Sequence, residues 1–412
     1  MEEIKKEIIE KVILVAVADQ DTTEAEESLD ELEELVKTAG AEVAARVIQV
    51  RETPHPGTYI GKGKIDEVNA LLYGTDATGI VCDDELSPAQ ISNLEEALDT
   101  KVMDRTLIIL DIFAKRAFTR EGKIQVELAQ LKYRASKLTG QGRALSRLGG
   151  GIGTRGPGEK KLEMDRRLIR TRISRLKAEL RDVVKHREVQ RKQRQKNHLP
   201  VVCIVGYTNA GKSTLLNYMT DAGILSEDKL FATLDPTTKS LDLSGGQTIL
   251  MTDTVGFIRK LPHHLVEAFK STLEEAKYSD LILHVVDASN PQKEKQMEAV
   301  YDTLKQLGAN ESLIITAFNK IDLLNGDEIL KDPNAEAVVR ISGKNGEGTD
   351  QLLEQIEKIL QKQKLYLEKL YGYQEAGKIQ LIRSHGQLLK EEYRDDGIYV
   401  EAYIPKEILG SI

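Results

Sequence analysis

Residues 206–213 read Gly206-Tyr207-Thr208-Asn209-Ala210-Gly211-Lys212-Ser213, and this motif indicates the fold of the residues around it. It follows the apolar run Val201–Val205 and precedes a helical pattern that contains Leu215 and Leu216. A glycine-rich loop between a strand and a helix is the phosphate-binding loop of P-loop folds, because its backbone N–H groups and the helix dipole favour phosphate. We therefore expect Lys212 to reach the β- and γ-phosphates of a nucleotide and the Ser213 hydroxyl to bind Mg²⁺.

A second phosphate-side element lies about forty residues downstream. The apolar run Thr248–Thr252 leads into Asp253-Thr254-Val255-Gly256. A carboxylate at the end of a strand beside the phosphate loop is placed to support Mg²⁺, and a glycine can bring its N–H to the γ-phosphate without a steric conflict. An isolated Asp-x-x-Gly is usually only a turn. Its position at the end of this strand, downstream of the phosphate loop, favours a role in nucleotide binding.

Two further motifs indicate the choice of base. Asn319-Lys320-Ile321-Asp322 follows the strand-like run Leu313–Phe318, and Ser342-Gly343-Lys344 follows Val338–Ile341. A carboxylate at Asp322 can accept hydrogen bonds from N1–H and the 2-amino group of guanine, a pair that adenine lacks. We expect Asn319 to brace the base and the phosphate loop, the Lys320 stem to lie on the ring, and residues 342–344 to close over the base edge.

Residues 223–239 are expected to form the first switch segment. Within Phe231-Ala232-Thr233-Leu234-Asp235-Pro236 we choose Thr233 to complete the Mg²⁺ shell, with Thr237 and Thr238 as competing choices. Phe257 follows Gly256 where many GTPases carry a glutamine that orients the attacking water, a task that a phenyl ring cannot perform. The sequence thus predicts a GTPase that is slow by itself and needs help from a partner or a cation.

The predicted site can be stated as one set of residues. The catalytic residues are Lys212, Thr233 and Gly256, and the metal ligands are Ser213, Thr233 and Asp253. GTP, GDP and Mg²⁺ are the expected cofactors, with K⁺ as a further candidate. The nucleotide-binding residues are Gly206, Tyr207, Thr208, Asn209, Ala210, Gly211, Lys212, Ser213, Thr214, Phe231, Ala232, Thr233, Asp253, Thr254, Val255, Gly256, Asn319, Lys320, Asp322, Ser342, Gly343 and Lys344.

The chain is long enough for several domains, since about 100–200 residues is usual for each. Alternating strand and helix patterns predict a multidomain α/β protein with parallel sheets. The expected parts are an N-terminal α/β domain (1–120), a basic antiparallel helical hairpin (121–197) with a glycine-rich loop (139–160), a P-loop GTPase domain (198–363) and a small C-terminal α+β domain (364–412).

The hairpin region has an unusual charge. Residues 132–196 carry 21 Lys and Arg against 6 Asp and Glu, a local net charge of +15 in a chain whose net charge is −8. The loop between its helices contains eight glycines within 140–158, together with Arg143, Arg147 and Arg155. This composition favours a contact between the three arginines and RNA. The alternatives are a flexible linker and a solvated charged helix.

The cysteines, the apolar stretches and the N-terminus indicate where in the cell the protein is expected and whether it associates with a membrane. The two cysteines, Cys82 and Cys203, lie in apolar strand-like runs, so reduced buried thiols and a cytoplasmic location are expected. No apolar stretch approaches the ~18 residues of a membrane span, which leaves only peripheral association with a membrane. The acidic N-terminus argues against a signal peptide. We expect a monomer.

The whole chain resembles the HflX family of ribosome-associated GTPases, and the resemblance covers nearly all of it. The resemblance implies the four domains above, binding to the large ribosomal subunit near its peptidyl-transferase centre, contact of the glycine-arginine loop with ribosomal RNA, and splitting or rescue of stalled or idle ribosomes, often in heat stress. Two small departures are Ile91-Ser92, where the family has polar or basic residues, and Gly343, where alanine is commoner. The stretches that carry the resemblance are Tyr59–Lys64, Asp84–Gln90, Asp104–Thr106, Leu110–Phe113, Gln125–Leu131, Arg147–Glu159 and Phe231–Thr238.

Other functions remain open on the sequence. Family members also bind ATP, so one alternative is an ATP- or GTP-dependent RNA-remodelling enzyme that uses the N-terminal domain. Another is a GTP-regulated RNA-binding scaffold with negligible turnover. The source of activation is open too: Asn209 either helps to hold K⁺ beside the phosphates, as in potassium-activated GTPases that this domain resembles, or only braces the loop.

Overall fold

The chain forms two compact units, and a computed structural model describes most of its backbone. The first unit comprises Met1–Asp182, Lys229–Phe231 and Lys260–Phe269, and the second comprises Val183–Asp228, Ala232–Arg259 and Lys270–Ile412. The described residues are 9–146, 157–196, 199–220, 230–231, 234–244, 247–260, 265, 274–309, 312–324, 326 and 328–412.

The first unit is built on a four-stranded parallel sheet. The strand order is β2-β1-β3-β4, with every neighbouring pair parallel. The strands are β1 Lys11–Ala18, β2 Glu42–Val50, β3 Gly79–Cys82 and β4 Lys101–Asp104, and the helices are α1 Thr23–Ala39, α2 Lys62–Thr75, α3 Pro88–Leu98 and α4 Arg105–Arg116. The predicted alternation of strands and helices is confirmed, and α4 is an addition to it.

Local sequence explains where two of these helices begin. Ser87 accepts from the backbone N–H of Gln90, whose side chain accepts from the Ser87 N–H, so a capping box starts α3 with Pro88 in its first turn. Asp104 accepts from the N–H of Leu107 and caps α4 in the same way. Most of the apolar side chains of α4 are buried, among them Ile109, Leu110 and Phe113.

A buried charged cluster lies at the carboxyl end of β3 in the first unit. Asp83 accepts from the Ser28 hydroxyl at 2.8 Å and from the Arg105 guanidinium at 2.9 Å. Lys260 also pairs with Asp83 and lies 2.9 Å from Asp84. Burial raises the pKa of Asp83, and Lys260 opposes that shift. Arg105 is among the largest fully buried side chains of the chain, and this cluster neutralises it.

Two long helices, α5 Arg120–Ser146 and α6 Pro157–Lys196, form an antiparallel hairpin. Glu127 pairs with Arg172, and the Leu138 carbonyl accepts from Arg166. The later residue of α5 thus contacts the earlier residue of α6, which shows that the two helices are antiparallel. Leu176 is buried in a cluster with Ile124 and Leu128 of α5, and the partly buried Ile173 and Leu180 pack against this cluster. Although α6 has 40 residues, neither it nor another helix of the described residues is long and apolar enough to cross a membrane.

The interruption between these helices is shorter than predicted. The sequence predicts a loop over 139–160, but α5 continues to Ser146 and α6 begins at Pro157. The error has a physical reason, since a glycine costs a helix only about 1 kcal/mol and two of the eight lie before residue 146. Arg143 therefore lies on α5. Arg147 and Arg155 lie outside the described residues.

The second unit contains a six-stranded sheet in the order β10-β9-β8-β5-β7-β6, in which only β6 runs antiparallel. Strand order reverses at β5, so the carboxyl ends of β5, β8 and β9 open onto one edge, where open α/β sheets bind ligands. The elements are β5 Val201–Gly206, α7 Lys212–Thr220, β6 Thr237–Asp242, β7 Thr248–Asp253, β8 Leu281–Asp287, α8 Lys293–Leu307, β9 Ile314–Asn319, β10 Ala337–Arg340 and α9 Thr349–Lys362.

A three-stranded antiparallel sheet in the order β11-β13-β12 ends the chain. One helix lies between β11 and β12, and a turn at 394–397 joins β12 to β13. Gly397 closes that turn at φ +151°, where a Cβ would lie 2.3 Å from the Tyr371 carbonyl oxygen. The elements are β11 Leu365–Tyr371, α10 Ala376–His385, β12 Gln387–Arg394 and β13 Gly397–Ile404.

Candidate active site

The phosphate loop connects β5 to α7 at the carboxyl edge of the larger sheet. Two of its glycines are required by close packing: a Cβ on Gly206 would lie 2.2 Å from the Val285 carbonyl oxygen, and one on Gly211 would lie 2.3 Å from Asn319 Nδ2. Asn209 has φ +62° and is exposed. The loop therefore folds as the sequence predicts, with its backbone wrapped before the helix.

Lys212 is the buried cation of this loop. Its Nζ donates to the carbonyl oxygens of Gly206 at 3.0 Å and Tyr207 at 2.7 Å. Burial lowers the pKa of Lys212 to about 8, an effect that Asp253 partly offsets. The ammonium form therefore predominates at pH 7, and a negatively charged phosphate would favour it further.

The hydroxyl of Ser213 donates to Asp253 Oδ2 at 2.7 Å. Asp253 ends β7 and is fully buried, so the sheet places a carboxylate against the first turn of α7. A hydroxyl and a carboxylate are hard oxygen donors of the kind that Mg²⁺ prefers, so this pair fits the predicted metal site. The third predicted ligand, Thr233, and its neighbour Ala232 lie outside the described residues.

Gly256 lies directly against the phosphate loop. A Cβ at this position would lie 2.9 Å from Lys212 Nζ and 2.8 Å from Thr208 Cγ2, so a larger residue does not fit. Thr254 is fixed by a hydrogen bond from its hydroxyl to the Ile204 carbonyl at 2.7 Å, and Val255 is buried. The Asp-x-x-Gly motif is therefore packed onto the loop and is more than an isolated turn.

Backbone bonds continue this packing beyond Gly256. The Phe257 N–H donates to the Gly206 carbonyl at 3.1 Å, and the Thr208 N–H donates to the Phe257 carbonyl at 2.8 Å. The Phe257 side chain is only 2% exposed, so its ring packs inside the protein. The Tyr207 hydroxyl accepts from the backbone N–H of Arg259 at 2.7 Å. Sequence analysis missed this role of Tyr207, whose only signal is its place in the loop.

The base-side residues form a connected group. Asn319 Nδ2 donates to the Ala210 carbonyl at 2.8 Å, and its Oδ1 accepts from the Gly343 N–H at 2.8 Å. Asn319 thus joins the phosphate loop to residues 342–344; its bond to the loop agrees with the prediction, and its contact with the base stays a prediction. The Ser342 hydroxyl donates to Asp322 Oδ1 at 2.7 Å, while Asp322 itself is exposed.

The remaining predicted site residues differ in their surroundings. Phe231 groups with the first unit, where its ring packs edge-on against Phe113 with the ring centroids 4.7 Å apart. Lys344 is exposed, and Thr214 follows Ser213 on α7. Lys320 pairs with Asp287, a residue that sequence analysis missed although an aspartate ends the apolar run of β8.

Three family models match the chain in succession. They are described as GTP-binding GTPase N-terminal (residues 26–114), GTP-binding GTPase Middle Region (116–194) and 50S ribosome-binding GTPase (201–320). A GTPase HflX from Lacrimispora saccharolytica is 69% identical over 407 residues, which cover 99% of this chain and 96% of that relative. The chain belongs to the HflX family of GTPases. A further HflX protein, from Escherichia coli K12, is 46% identical over 332 residues, 80% of this chain and 78% of its own length.

Among solved structures, a GTP-binding protein from Sulfolobus solfataricus in complex with GDP matches 85% of this chain and 98% of its own, at 25% identity and a TM-score of 0.45. Membership of the HflX family is shown by the sequence relatives. The enzyme is thus a multidomain α/β GTPase with a P-loop GTPase domain.

Proposed function

We propose that this HflX GTPase binds the large ribosomal subunit and couples GTP binding and hydrolysis to the splitting or rescue of stalled or idle ribosomes. The observation that carries the proposal is that one chain, which matches an HflX relative over nearly its whole length, contains both the phosphate-loop site and a long basic hairpin. The name of the family model over residues 201–320, 50S ribosome-binding GTPase, supports the same partner. The proposal includes a cytoplasmic monomer and an RNA contact by Arg143, Arg147 and Arg155.

At the phosphates, the chain supplies charge and fixed backbone donors. Lys212 would leave its two carbonyl partners for the β- and γ-phosphates, and the Gly256 N–H would face the γ-phosphate. Ser213, Asp253 and Thr233 would hold Mg²⁺, which when bound neutralises charge that develops on the phosphates. Phe257 is buried, so water must be oriented by another group.

At the base, Asp322 would accept from the guanine N1–H and 2-amino group. Its carboxylate is exposed and is held by Ser342, so it is oriented before the ligand arrives. Asn319 keeps the phosphate loop and the base side in register through Ala210 and Gly343. If adenine bound here, it would bury this carboxylate but would offer neither of the two hydrogen-bond donors. The carboxylate would then lack a partner, and this unfavourable free energy selects guanine over adenine.

Sedimentation of intact ribosomes tests the proposal. We expect the protein with GTP, or with a non-hydrolysable analogue, to convert ribosomes into separate subunits and to sediment with the large one, whereas GDP should do so weakly. Asp322→Asn supplies a matched control, because xanthine offers a 2-oxo acceptor where guanine has a donor: this variant should act with xanthosine triphosphate and not with GTP. Intact ribosomes under every nucleotide, alongside normal GTP turnover, would reject splitting.

A further inference from the structure

Asp287 ends β8 next to the residues that are proposed to hold guanine. Strands β8 and β9 run parallel with Asp287 opposite Asn319, so the carboxylate lies beside Lys320. Its Oδ2 is 2.7 Å from Lys320 Nζ. Its Oδ1 accepts from the backbone N–H of Ser289 at 3.0 Å and from the Ser289 hydroxyl at 2.6 Å. The two carboxylate oxygens therefore have separate partners.

Lys320 is a residue that needs an anchor. Its backbone has φ +63°, a left-handed conformation that non-glycine residues rarely adopt, and this conformation fixes the direction in which the side chain leaves the chain. The lysine stem is flexible, so an unanchored ammonium would sample many rotamers. The pair is mostly buried, with 25% of the Lys320 side chain and 14% of the Asp287 side chain exposed. Solvent therefore screens the attraction less than at an open surface.

We propose that Asp287 is a positioning residue for nucleotide binding, holding the Lys320 ammonium so that the lysine stem forms a preset surface for the guanine ring. The inference rests on the proposed function, since it takes the base to lie against Lys320 and Asp322. A side chain that is already ordered in the free protein loses less conformational entropy when the ligand binds. The binding free energy is therefore more favourable. Asp287 should therefore set the affinity for guanine nucleotides, whereas Asp322 sets the choice of base.

Asp287→Asn separates the two tasks of the carboxylate. The amide oxygen can still accept from Ser289, but the amide NH₂ group would face the Lys320 ammonium and cannot accept from it. We expect the dissociation constants of GTP and GDP to rise by the same factor, roughly threefold to tenfold, because the base is common to both. The kcat at saturating GTP should not change. Titration with a fluorescent ribose-labelled GDP, competed with unlabelled GTP and GDP, measures both constants.

Ser289→Ala is the matched control, since it removes a bond to Oδ1 and leaves Lys320 paired. It should keep the dissociation constant within about twofold of the native value. In a Lys320→Met background, which keeps the stem without the ammonium, Asp287→Asn should weaken binding no further. This non-additivity distinguishes an effect through Lys320 from a general loss of loop structure.

Three results would overturn the inference: native affinity in Asp287→Asn, equal losses in Asp287→Asn and Ser289→Ala, or full additivity with Lys320→Met. Failure of the proposed base site is recognised separately. If Asp322→Asn leaves the preference for guanine over xanthine unchanged, the base does not lie where proposed. If Asp322→Asn shifts that preference while Asp287→Asn binds normally, only the role of Asp287 is wrong.

Discussion

The Tyr207 hydroxyl accepts a hydrogen bond from the backbone N–H of Arg259 at 2.7 Å, and this bond joins the phosphate loop to the segment that follows Gly256. Tyr207 is 4% exposed, and the backbone of Phe257 bonds to the residues on either side of it. The segment after Gly256 is therefore fixed to the loop by one side-chain bond and two backbone bonds.

Tyr207→Phe keeps the ring and removes the side-chain bond. We expect the free energy of unfolding to fall by about 1–2 kcal/mol, because the Arg259 N–H loses its partner. The kcat for GTP should fall severalfold while GDP affinity stays unchanged, since the Gly256 N–H is proposed to face the γ-phosphate, which GDP lacks. Single-turnover hydrolysis and GDP titration measure the two effects. Tyr73→Phe, at a tyrosine that is 82% exposed, is the control. Equal loss of GTP and GDP binding would contradict this role.

Some of these features could be predicted from the sequence and others could not. The phosphate loop and the bond network of Asn319 follow from motifs whose spacing carries a mechanism. The Asp287–Lys320 pair and the buried Arg105 do not, because the partners come together only when parallel strands align across the sheet. Helix α4 is absent from the sequence prediction, and it follows β4 directly, with Asp104 both ending the strand and capping the helix. The sequence misplaces the ends of α5 and α6, because a glycine destabilises a helix by only about 1 kcal/mol and does not always end it.

Lys212→Ala and Ser213→Ala test the phosphate and metal side of the site. Removal of the ammonium or of the hydroxyl should lower GTP turnover by at least about 10²-fold, because stabilisation of charge on the phosphates is the main catalytic contribution. Multiple-turnover phosphate release gives the rate, and circular dichroism checks the fold. Lys305→Ala is the control for Lys212→Ala, because it also removes one positive charge but does so on the exposed face of α8. Near-native turnover in either site variant would contradict the assignment.

His284 gives the second unit a stability that depends on pH. The side chain is buried, 4.0 Å from Asp332, whose Oδ2 accepts from Tyr301 and Thr316. Burial lowers the pKa of His284 from 6.5 to about 4. Between these values the unfolded chain binds the proton and the folded chain does not. Stability is therefore fully present above pH 6.5 and is lost as the pH falls towards 4.

We expect His284 to account for roughly 2–3 kcal/mol of the stability lost between pH 7 and pH 4.5. Urea unfolding at several pH values gives the free energy of unfolding of the native protein and of His284→Gln. The difference between the two pH profiles is the contribution of His284. His284→Gln should be less stable at pH 7 and should lose less on acidification. Parallel profiles for the two proteins would show that the histidine does not titrate on unfolding.

Arg143, Arg147 and Arg155 test the proposed RNA contact. Their joint replacement by Ala should weaken ribosome binding and lower the slope of log affinity against log salt by about 0.7–0.9 for each phosphate that the protein no longer neutralises. GTP binding should persist. Joint replacement of Lys305, Lys358 and Lys362, all exposed, removes the same charge elsewhere and should leave the slope unchanged. If both triple variants change the slope equally, the net charge of the protein explains its affinity for the ribosome, and a specific contact by the three arginines does not.

Asn209 tests how a site with a buried Phe257 is activated. Asn209 is exposed in the phosphate loop with a backbone φ of +62°, and within the described part of the chain its side chain makes no bracing hydrogen bond. We expect its amide oxygen to bind a monovalent cation beside the β- and γ-phosphates. Such a cation would offset the charge that an arginine finger offsets in other GTPases, a contribution of roughly 10³–10⁵ in rate.

Exchange of sodium for potassium at fixed ionic strength should then raise basal GTP hydrolysis, and Asn209→Ala should abolish the difference between the salts. Asn334→Ala, at an exposed position before β10, is a matched loss of an exposed asparagine. It should keep the potassium effect. The same assays with large ribosomal subunits separate the two sources of activation. Equal basal rates in both salts, together with strong stimulation by the subunits, would assign activation to the ribosome, because only a group that the ribosome supplies or orders could then replace the missing glutamine.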